Sequence, residues 1–429
     1  MTDMKTYPHR HLPGVATPEA VDEAFAAVEA TFNAIWLNQP GARSRLQRVW
    51  GREDHLANLE LYTLGQGILS LRAHSHDDWL KKTAQTIRKS PQSHGLITEI
   101  ITHATLRLGD QPFAPAPQKQ PGYDFSLTSS GGDEYLVSIK NHDVTDDAKA
   151  FSRQASQLRK AWRSRLTHAK RSLGLTVAAE EPMTEADFEQ VRQHIRGPNA
   201  FCQEKTMVSR HVRVRTAPLP YASGELAHHP VSDLVLVLAP ASTKEQTRFA
   251  ANLRSAAQRF KNVPRHPQQW RIVHMRVHAM ADIAYLEQLA NALLQEPDAG
   301  IDAIHIHQPT YARDAEGRSL IHHAFKVAAT PHFAIGRVNP LPLTMALPVG
   351  SVGVEPTRLV LTQDGEQLGN VPPNNYVFQR GDIYRSFRIE EGASFTLGSP
   401  AAGVREHLSG LDVILSPKGP PESDDLLLV

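Results

Sequence analysis

The sequence predicts an α/β protein built on a sheet flanked by helices, with a helical N-terminal unit before it and a small β-rich C-terminal domain after it. Three observations predict this. Apolar residues recur at helical spacing through residues 18–90. From residue 231 short apolar runs alternate with amphipathic stretches, the rhythm of strands covered by helices. Near residue 338 the Pro-rich run NPLPLTMALPVG breaks that rhythm, and short β-like pieces follow. The expected domains are residues 1–90, then 91–337 with an insertion around 173–230, then 338–429 with a mobile tail.

The elements follow in order. Thr17-Pro18-Glu19 opens the first helix, with Thr as N-cap and Pro at the first helical position. Val21, Phe25, Val28, Phe32, Ile35 and Trp36 continue it. A second helix covers 56–68 and a third 79–89, stopped by Ser90-Pro91. Leu96, Ile97, Ile100, Ile101, Ala104 and Leu108 form the stripe of the next helix, ended by Gly109-Asp110. The loop PFAPAPQKQPG leads to a strand at 123–127. SSGGDE then reads as a hairpin turn and 135–140 as the return strand. A long helix is expected over 146–172, a shorter one over 184–195 and a half-exposed strand over 208–216. The apolar run DLVLVLA (233–239) reads as a buried strand, which either completes the hairpin's sheet or belongs to a separate scaffold. Helices at Thr243–Phe260 and 281–294 alternate with strands at 271–277 and 301–307. The C-terminal domain is expected to hold strands at 358–362, 376–379 and 384–389, before the tail PKGPPESDDLLLV. No solenoid-type repeat is visible.

Composition narrows the function classes. Lys+Arg 46 against Asp+Glu 45 leaves a net charge of +1, so nucleic acid binding would need a local basic face rather than a polycationic chain. A single cysteine, Cys202, excludes a disulfide scaffold and a Cys-rich zinc site. It has no identifiable base partner, so a thiol nucleophile is not expected. No apolar window approaches the roughly 18 residues of a membrane span, and the opening MTDMKTYPHRHLPG lacks a secretory h-region. A cytoplasmic protein that does not enter a membrane is expected. There is no Walker A loop and no G-x-G-x-x-G fingerprint.

The hairpin carries the chemistry. Alternation turns Tyr123, Phe125 and Leu127 one way and Asp124 and Ser126 the other. On the return strand Tyr135, Val137 and Ile139 oppose Leu136, Ser138 and Lys140. A turn centred near Gly131-Gly132 makes paired residue numbers sum to roughly 263, which sets Asp124 across from 138–140. Same-face neighbours there lie about 5–8 Å apart. Glu99 sits upstream near the apolar boundary of the helix GLITEIITHATL. Two carboxylates and a lysine converging on a strand pair suit phosphodiester hydrolysis. Hard oxygen ligands would hold a divalent metal, and the lysine would stabilise charge or help deprotonate water.

Gly95-x-x-x-Glu99, Tyr123-Asp124-Phe125 and Val137-Ser138-Ile139-Lys140 resemble the PD-(D/E)xK restriction-endonuclease-like nuclease superfamily. The resemblance covers about residues 95–172 and implies a restriction-endonuclease-like fold, a mixed sheet flanked by helices, with Mg²⁺- or Mn²⁺-dependent cleavage, of DNA more often than RNA. It implies a bacterial DNA endonuclease of restriction-like or defence type. Glu99, Asp124 and Lys140 would be catalytic, and Glu99, Asp124 and Ser138 would hold the metal. Ser138 stands where the family usually has Asp or Glu. That departure keeps an alternative open: a non-catalytic nucleic-acid-binding or assembly subunit on an inactive nuclease-like fold. A homo-oligomer and a separate partner subunit both remain open.

Basic residues crowd the 146–172 helix, where a phosphate backbone following the active strand would lie. Arg153, Gln154, Gln157, Lys160 and Arg163 are the candidates there, and Arg213 and Arg215 share a strand face that would extend the track. The bland reading of both is a solvated face. The 22 histidines suggest no clear metal site. His74-x-His76-Asp77 lacks the further His of a metallo-hydrolase string. His305-x-His307 shares a strand face, with His322-His323 close in sequence, but no third ligand is evident. His228-His229 reads as loop.

Overall fold

The computed structural model describes residues 5–334 except 42–43, 91–92, 109–110, 118–121, 219–230, 232, 279–280 and 314–318; beyond 334 it describes 343–345, 351–353, 361–363, 366–368, 375–381, 384–388, 404–408, 411–416 and Leu428. His228-His229, most of the Pro-rich connector, positions 358–360 and all of the tail but Leu428 lie outside the described residues.

Four longer helices make most of the N-terminal layer: α1 (Pro18–Phe32), α2 (His55–Ala73), α3 (Asp77–Lys89) and α4 (His94–Thr105), with short ones at Ala34–Leu37 and Arg45–Trp50. α1 stops at Phe32 instead of continuing through Ile35 and Trp36, and Leu106–Leu108 is a strand instead of the end of α4. The Thr17 side chain accepts the Ala20 N–H, the N-cap expected from the sequence. Phe25, Phe32, Leu61, Leu64, Ile68, Leu80, Ile87, Ile97 and Ile100 share one core. Thus α4 packs into the same core as the helices before residue 90. Two glycines let these helices touch. A Cβ at Gly65 would meet the Ala24 carbonyl oxygen at 2.5 Å, and one at Gly67 would meet that of Ile100 at 2.4 Å.

The central sheet is mixed and seven-stranded. Its strands are β1 (Ala114–Pro115), β2 (Phe125–Thr128), β3 (Glu134–His142), and, after a long excursion, β8 (Gln269–Val277), β9 (Ala303–Arg313), β10 (Ser319–Ala329) and β11 (Ser351–Gly353). The order is β11-β10-β9-β8-β3-β2-β1. The hairpin register pairs Phe125 with Val137, so paired numbers sum to 262. β8 runs parallel to β3 with Met275 beside Lys140. One face packs Phe125, Leu127, Tyr135, Val137 and Ile139 with Phe113 and Phe333. The other packs Leu136, Val273 and Met275 under α7 (Thr243–Phe260) and α8 (Ile283–Leu294). Tyr123 joins this second cluster rather than Phe125 and Leu127, because β2 begins only at Phe125 and the alternation does not reach back to it.

Between β3 and α7 the chain supplies four strands of a second, five-stranded sheet, ordered β12-β7-β4-β6-β5. Its strands are β4 (Leu173–Ala179), β5 (Thr206–Met207), β6 (Val212–Pro218), β7 (Asp233–Pro240) and β12 (Asn375–Gly381). Helices α5 (Asp146–Ala169) and α6 (Glu185–Arg196) pack Phe151, Leu158, Trp162, Leu166, Phe188 and Val191 onto Leu175, Val177, Val235 and Val237. The 233–239 strand therefore completes this sheet and not the hairpin's. Apolar on both faces, DLVLVLA fits the middle of either sheet, and only tertiary pairing decides between them. β12 comes from the expected C-terminal domain but pairs antiparallel with β7. Segments 384–388, 404–408 and 411–416 form a separate three-stranded sheet.

A charged clasp joins the helical layer to the central sheet. Arg45 grips Asp143 with both guanidinium nitrogens at 2.9 and 2.8 Å, and Arg276 approaches it at 3.4 Å. Burial pushes the Asp143 carboxyl up, but His94, Arg45 and Arg276 outweigh it and hold the group down at about 2. Among the described residues no helix is long and apolar enough to cross a membrane.

Candidate metal-dependent active site

Asp124 lies one residue ahead of β2, and its own N–H donates to the Val137 carbonyl at 2.9 Å. This backbone bond carries the hairpin ladder to the aspartate and fixes its side chain over β3. Oδ2 accepts the Ile139 N–H at 2.7 Å and the Ser138 hydroxyl at 3.2 Å. Oδ1 faces Arg259 at 3.4 Å. The preceding loop is set by Gly122, at φ +134°, where a Cβ would strike Val263 at 2.4 Å. Ser138 is completely buried, so its hydroxyl steadies Asp124 and brings no charge.

Glu99 reaches the same place from α4. Burial first, then the Asp124 charge, push its carboxyl up to about 8, against the opposing pull of Lys140 and Arg259. Lys140 is lowered by burial and by Arg259, while Asp124 and Glu99 pull it back up. Glu99, Asp124 and Lys140 thus form one electrostatic unit beside Ser138. The hairpin register predicts the grouping of Asp124, Ser138 and Lys140, and the resemblance adds Glu99. Arg259, in the last turn of α7, completes it. Sequence reasoning missed Arg259, because nothing local marks a helical arginine as facing a hairpin more than a hundred residues earlier. The arrangement holds two carboxylates and two cations around one mostly buried point. At neutral pH Glu99 keeps its proton unless more positive charge arrives. An oxygen-seeking divalent cation is the kind of charge that would displace it.

The candidate nucleic-acid residues lie on the inserted unit. Helix α5 rests on the five-stranded sheet, with Arg153 and Lys160 exposed on its outer side. Lys160 and Arg163 line an open groove of about 530 Å³ with Ser164, Thr167 and His168. Several side chains serve internal contacts. Arg159 and Arg163 pair with Asp233, at 2.8 and 3.3 Å, and Asp233 is wholly buried. Gln154 and Gln157 accept from Arg192 at 2.8 and 3.3 Å. Arg213 pairs with Glu180. Arg213 and Arg215 do project from one face of β6, opposite the buried Val212 and Val214.

Nine histidines among the described residues form three clusters. His305 and His307 share a face of β9, but each bonds to another imidazole: His305 to His274 at 2.8 Å and His307 to His323 at 2.9 Å. Burial lowers His305 to about 4 and pushes His274 and His307 well below the ordinary imidazole value, so these three rings are neutral. The side chain of His322 lies outside the described residues. His74 and His76 stand edge-on to His103, with ring centroids 6.0 and 5.6 Å away. The third set was not foreseen. His142 ends β3, His278 follows β8, and Glu245 lies in the first turn of α7; their ligand atoms all fall within 4.8 Å of one another. Its one sequence signal is that His142 continues the Ser138-Lys140 alternation. Sequence separations of 103 and 33 residues hid the rest.

No protein-family model, curated protein or solved structure matches this chain.

Proposed function

We propose that this chain is a metal-dependent phosphodiesterase, in its most specific form a DNA endonuclease of restriction-like or defence type. The observation that carries the reading is the joint placement of Glu99, Asp124, Lys140 and Arg259. Two carboxylates from a helix and a hairpin meet two cations on a mixed sheet flanked by helices. The order helix, hairpin, covering helix and parallel strand (α4, β1 to β3, α7, β8) agrees with a restriction-endonuclease-like core interrupted by an inserted unit.

The donor set suits Mg²⁺ or Mn²⁺: Asp124 Oδ1 and the Glu99 carboxyl are hard oxygens, and the raised Glu99 is stabilised as an anion by added positive charge. A bound ion would polarise a phosphate and lower the pKa of water. The chain supplies the rest. Ile139 N–H and Ser138 hold Asp124 in one orientation. Lys140 and Arg259 offset negative charge growing on a phosphate and orient the backbone being cut. Arg153 and Lys160 on α5, with Arg215 on β6, supply contacts to phosphates further along, while Arg163 and Arg213 are held by Asp233 and Glu180.

The second reading, a non-catalytic nucleic-acid-binding or assembly platform, is favoured by Ser138. A neutral hydroxyl tied to Asp124 stands where a further carboxylate would strengthen the metal site. Cleavage decides between the readings. Purified protein is incubated with Mg²⁺ or Mn²⁺ and single- or double-stranded DNA or RNA. The nuclease reading expects cutting that Asp124→Ala and Lys140→Ala each reduce by a hundredfold or more (about 10²–10³ for one electrostatic group), with binding largely kept. Wild-type protein that cuts none of these substrates overturns it in favour of the platform.

A further inference from the structure

We infer that His142, Glu245 and His278 form a second metal site, selective for Zn²⁺ or a similar transition ion and separate from the Glu99–Asp124 centre. His142 Nε2 lies 3.2 Å from Glu245 Oε1, and His278 Nε2 lies 2.6 Å from the same oxygen. Donor atoms about 2.0–2.1 Å from a tetrahedral ion stand a little over 3 Å apart. The two edges to Glu245 Oε1 are therefore already near those of a coordination polyhedron, all three ligand atoms lie within 4.8 Å of one another, and His278 has only to move back slightly. The independent sign is His142. It is fully buried, yet among the described residues neither of its ring nitrogens has a hydrogen-bond partner. Its approach to Glu245 is short enough but lacks the alignment of a hydrogen bond. A cation between the three groups gives Nε2 the partner it lacks.

The surroundings are built for a ligand set. Thr145 Oγ1 donates to the other Glu245 oxygen at 2.7 Å, and the Tyr376 hydroxyl lies at 3.5 Å from it. Such contacts turn Oε1 toward the imidazoles, as outer partners of metal ligands do. Phe249 stands edge-on to the His142 ring at 5.5 Å and helps hold it. Two imidazoles and one carboxylate favour Zn²⁺ and its neighbours over Mg²⁺, which prefers oxygen and retains water. The site ties the ends of β3 and β8 to the start of α7. The far end of α7 carries Arg259 to Asp124, so the ion would fix the helix that completes the other centre. This inference does not depend on nuclease activity.

The test uses the full chain, stripped by a chelator and titrated with Co²⁺ alone, then with Zn²⁺ alone. One equivalent of Co²⁺ should give visible d–d absorption that Zn²⁺ displaces, and Zn²⁺ should raise the melting temperature. Both signals should survive Asp124→Ala and disappear in His142→Ala and Glu245→Gln. Retention of the absorption in folded His142→Ala, or its loss in Asp124→Ala, overturns the assignment. Should the two ligand variants fold poorly, the wild-type titration decides alone: folded protein that takes up no stoichiometric Co²⁺ overturns the site.

Discussion

Glu99 is an acid that folding makes weaker, and this has two measurable consequences. In an unfolded chain it ionises near 4.5; in the folded protein it holds its proton up to about 8. Between those values the folded state binds the extra proton, so metal-free stability falls as pH rises from about 4.5 to about 8. Glu99→Gln removes that loss, so the metal-free variant should gain melting temperature over wild type at pH 8 and gain little at pH 4.5. In the proposed site a divalent metal would compete with the same proton. Mg²⁺ or Mn²⁺ affinity should therefore climb by up to about tenfold per pH unit below 8 and level off above it, with proton release on binding seen by calorimetry in two buffers. Affinity independent of pH would separate Glu99 from the metal. The hairpin part of this site was legible in the sequence. Alternation and a Gly-Gly turn suffice to set Asp124 against Ser138 and Lys140, because both are local. Arg259 and the His142–Glu245–His278 group were not legible, since their partners arrive by tertiary packing alone.

At the scale of elements, the approach of α4 to α2 decides where Glu99 stands. Gly67 lies against the Ile100 carbonyl, one residue beyond Glu99, and a methyl group there would meet backbone at 2.4 Å. Backbone cannot rotate away as a side chain can, so the helices must separate. Gly67→Ala should destabilise by about 1–3 kcal/mol, the usual cost of overpacking, and should also weaken divalent metal binding by displacing Glu99. Gly95 is the control on the same helix. Nothing lies within 4 Å of a Cβ built there, so Gly95→Ala should be neutral or stabilising by up to about 1 kcal/mol through helix propensity. Denaturant melts of the two variants check this, and equal losses would remove the close-contact argument. The sequence stripe Leu96, Ile97, Ile100, Ile101 showed which face α4 buries. It could not show that glycine was required opposite, because a glycine inside a helix reads locally only as a weak helix former.

For the molecule as a whole, the decisive event is the excursion between β3 and β8. The expected helices of this stretch form, the first ending at Ala169, and the strand expected over 208–216 forms as β6, but β4 was not expected, and α5 and β7 serve a second sheet. Local patterns specify helix or strand, whereas the parallel pairing of β3 with β8 spans about 130 residues and leaves no periodic trace. The basic helix therefore projects from a unit with its own core, and its charges divide into two groups. Arg159 neutralises the buried Asp233, so Arg159→Ala should lower the melting temperature by leaving that carboxylate short of a partner. Arg153 and Lys160 are exposed and among the described residues make no ion pair. With a net charge of only +1, the proposed nucleic-acid affinity would have to come from such a local face and be released by salt. Binding to a DNA duplex should fall steeply from low to physiological salt. Arg153→Ala and Lys160→Ala should each cut the slope of log affinity against log salt by about 0.9, the value for one lost phosphate contact, with little change in stability. Arg159→Ala should leave the slope intact. An affinity flat across that salt range, or slopes unchanged in both exposed-residue variants, would take the phosphate track off this helix.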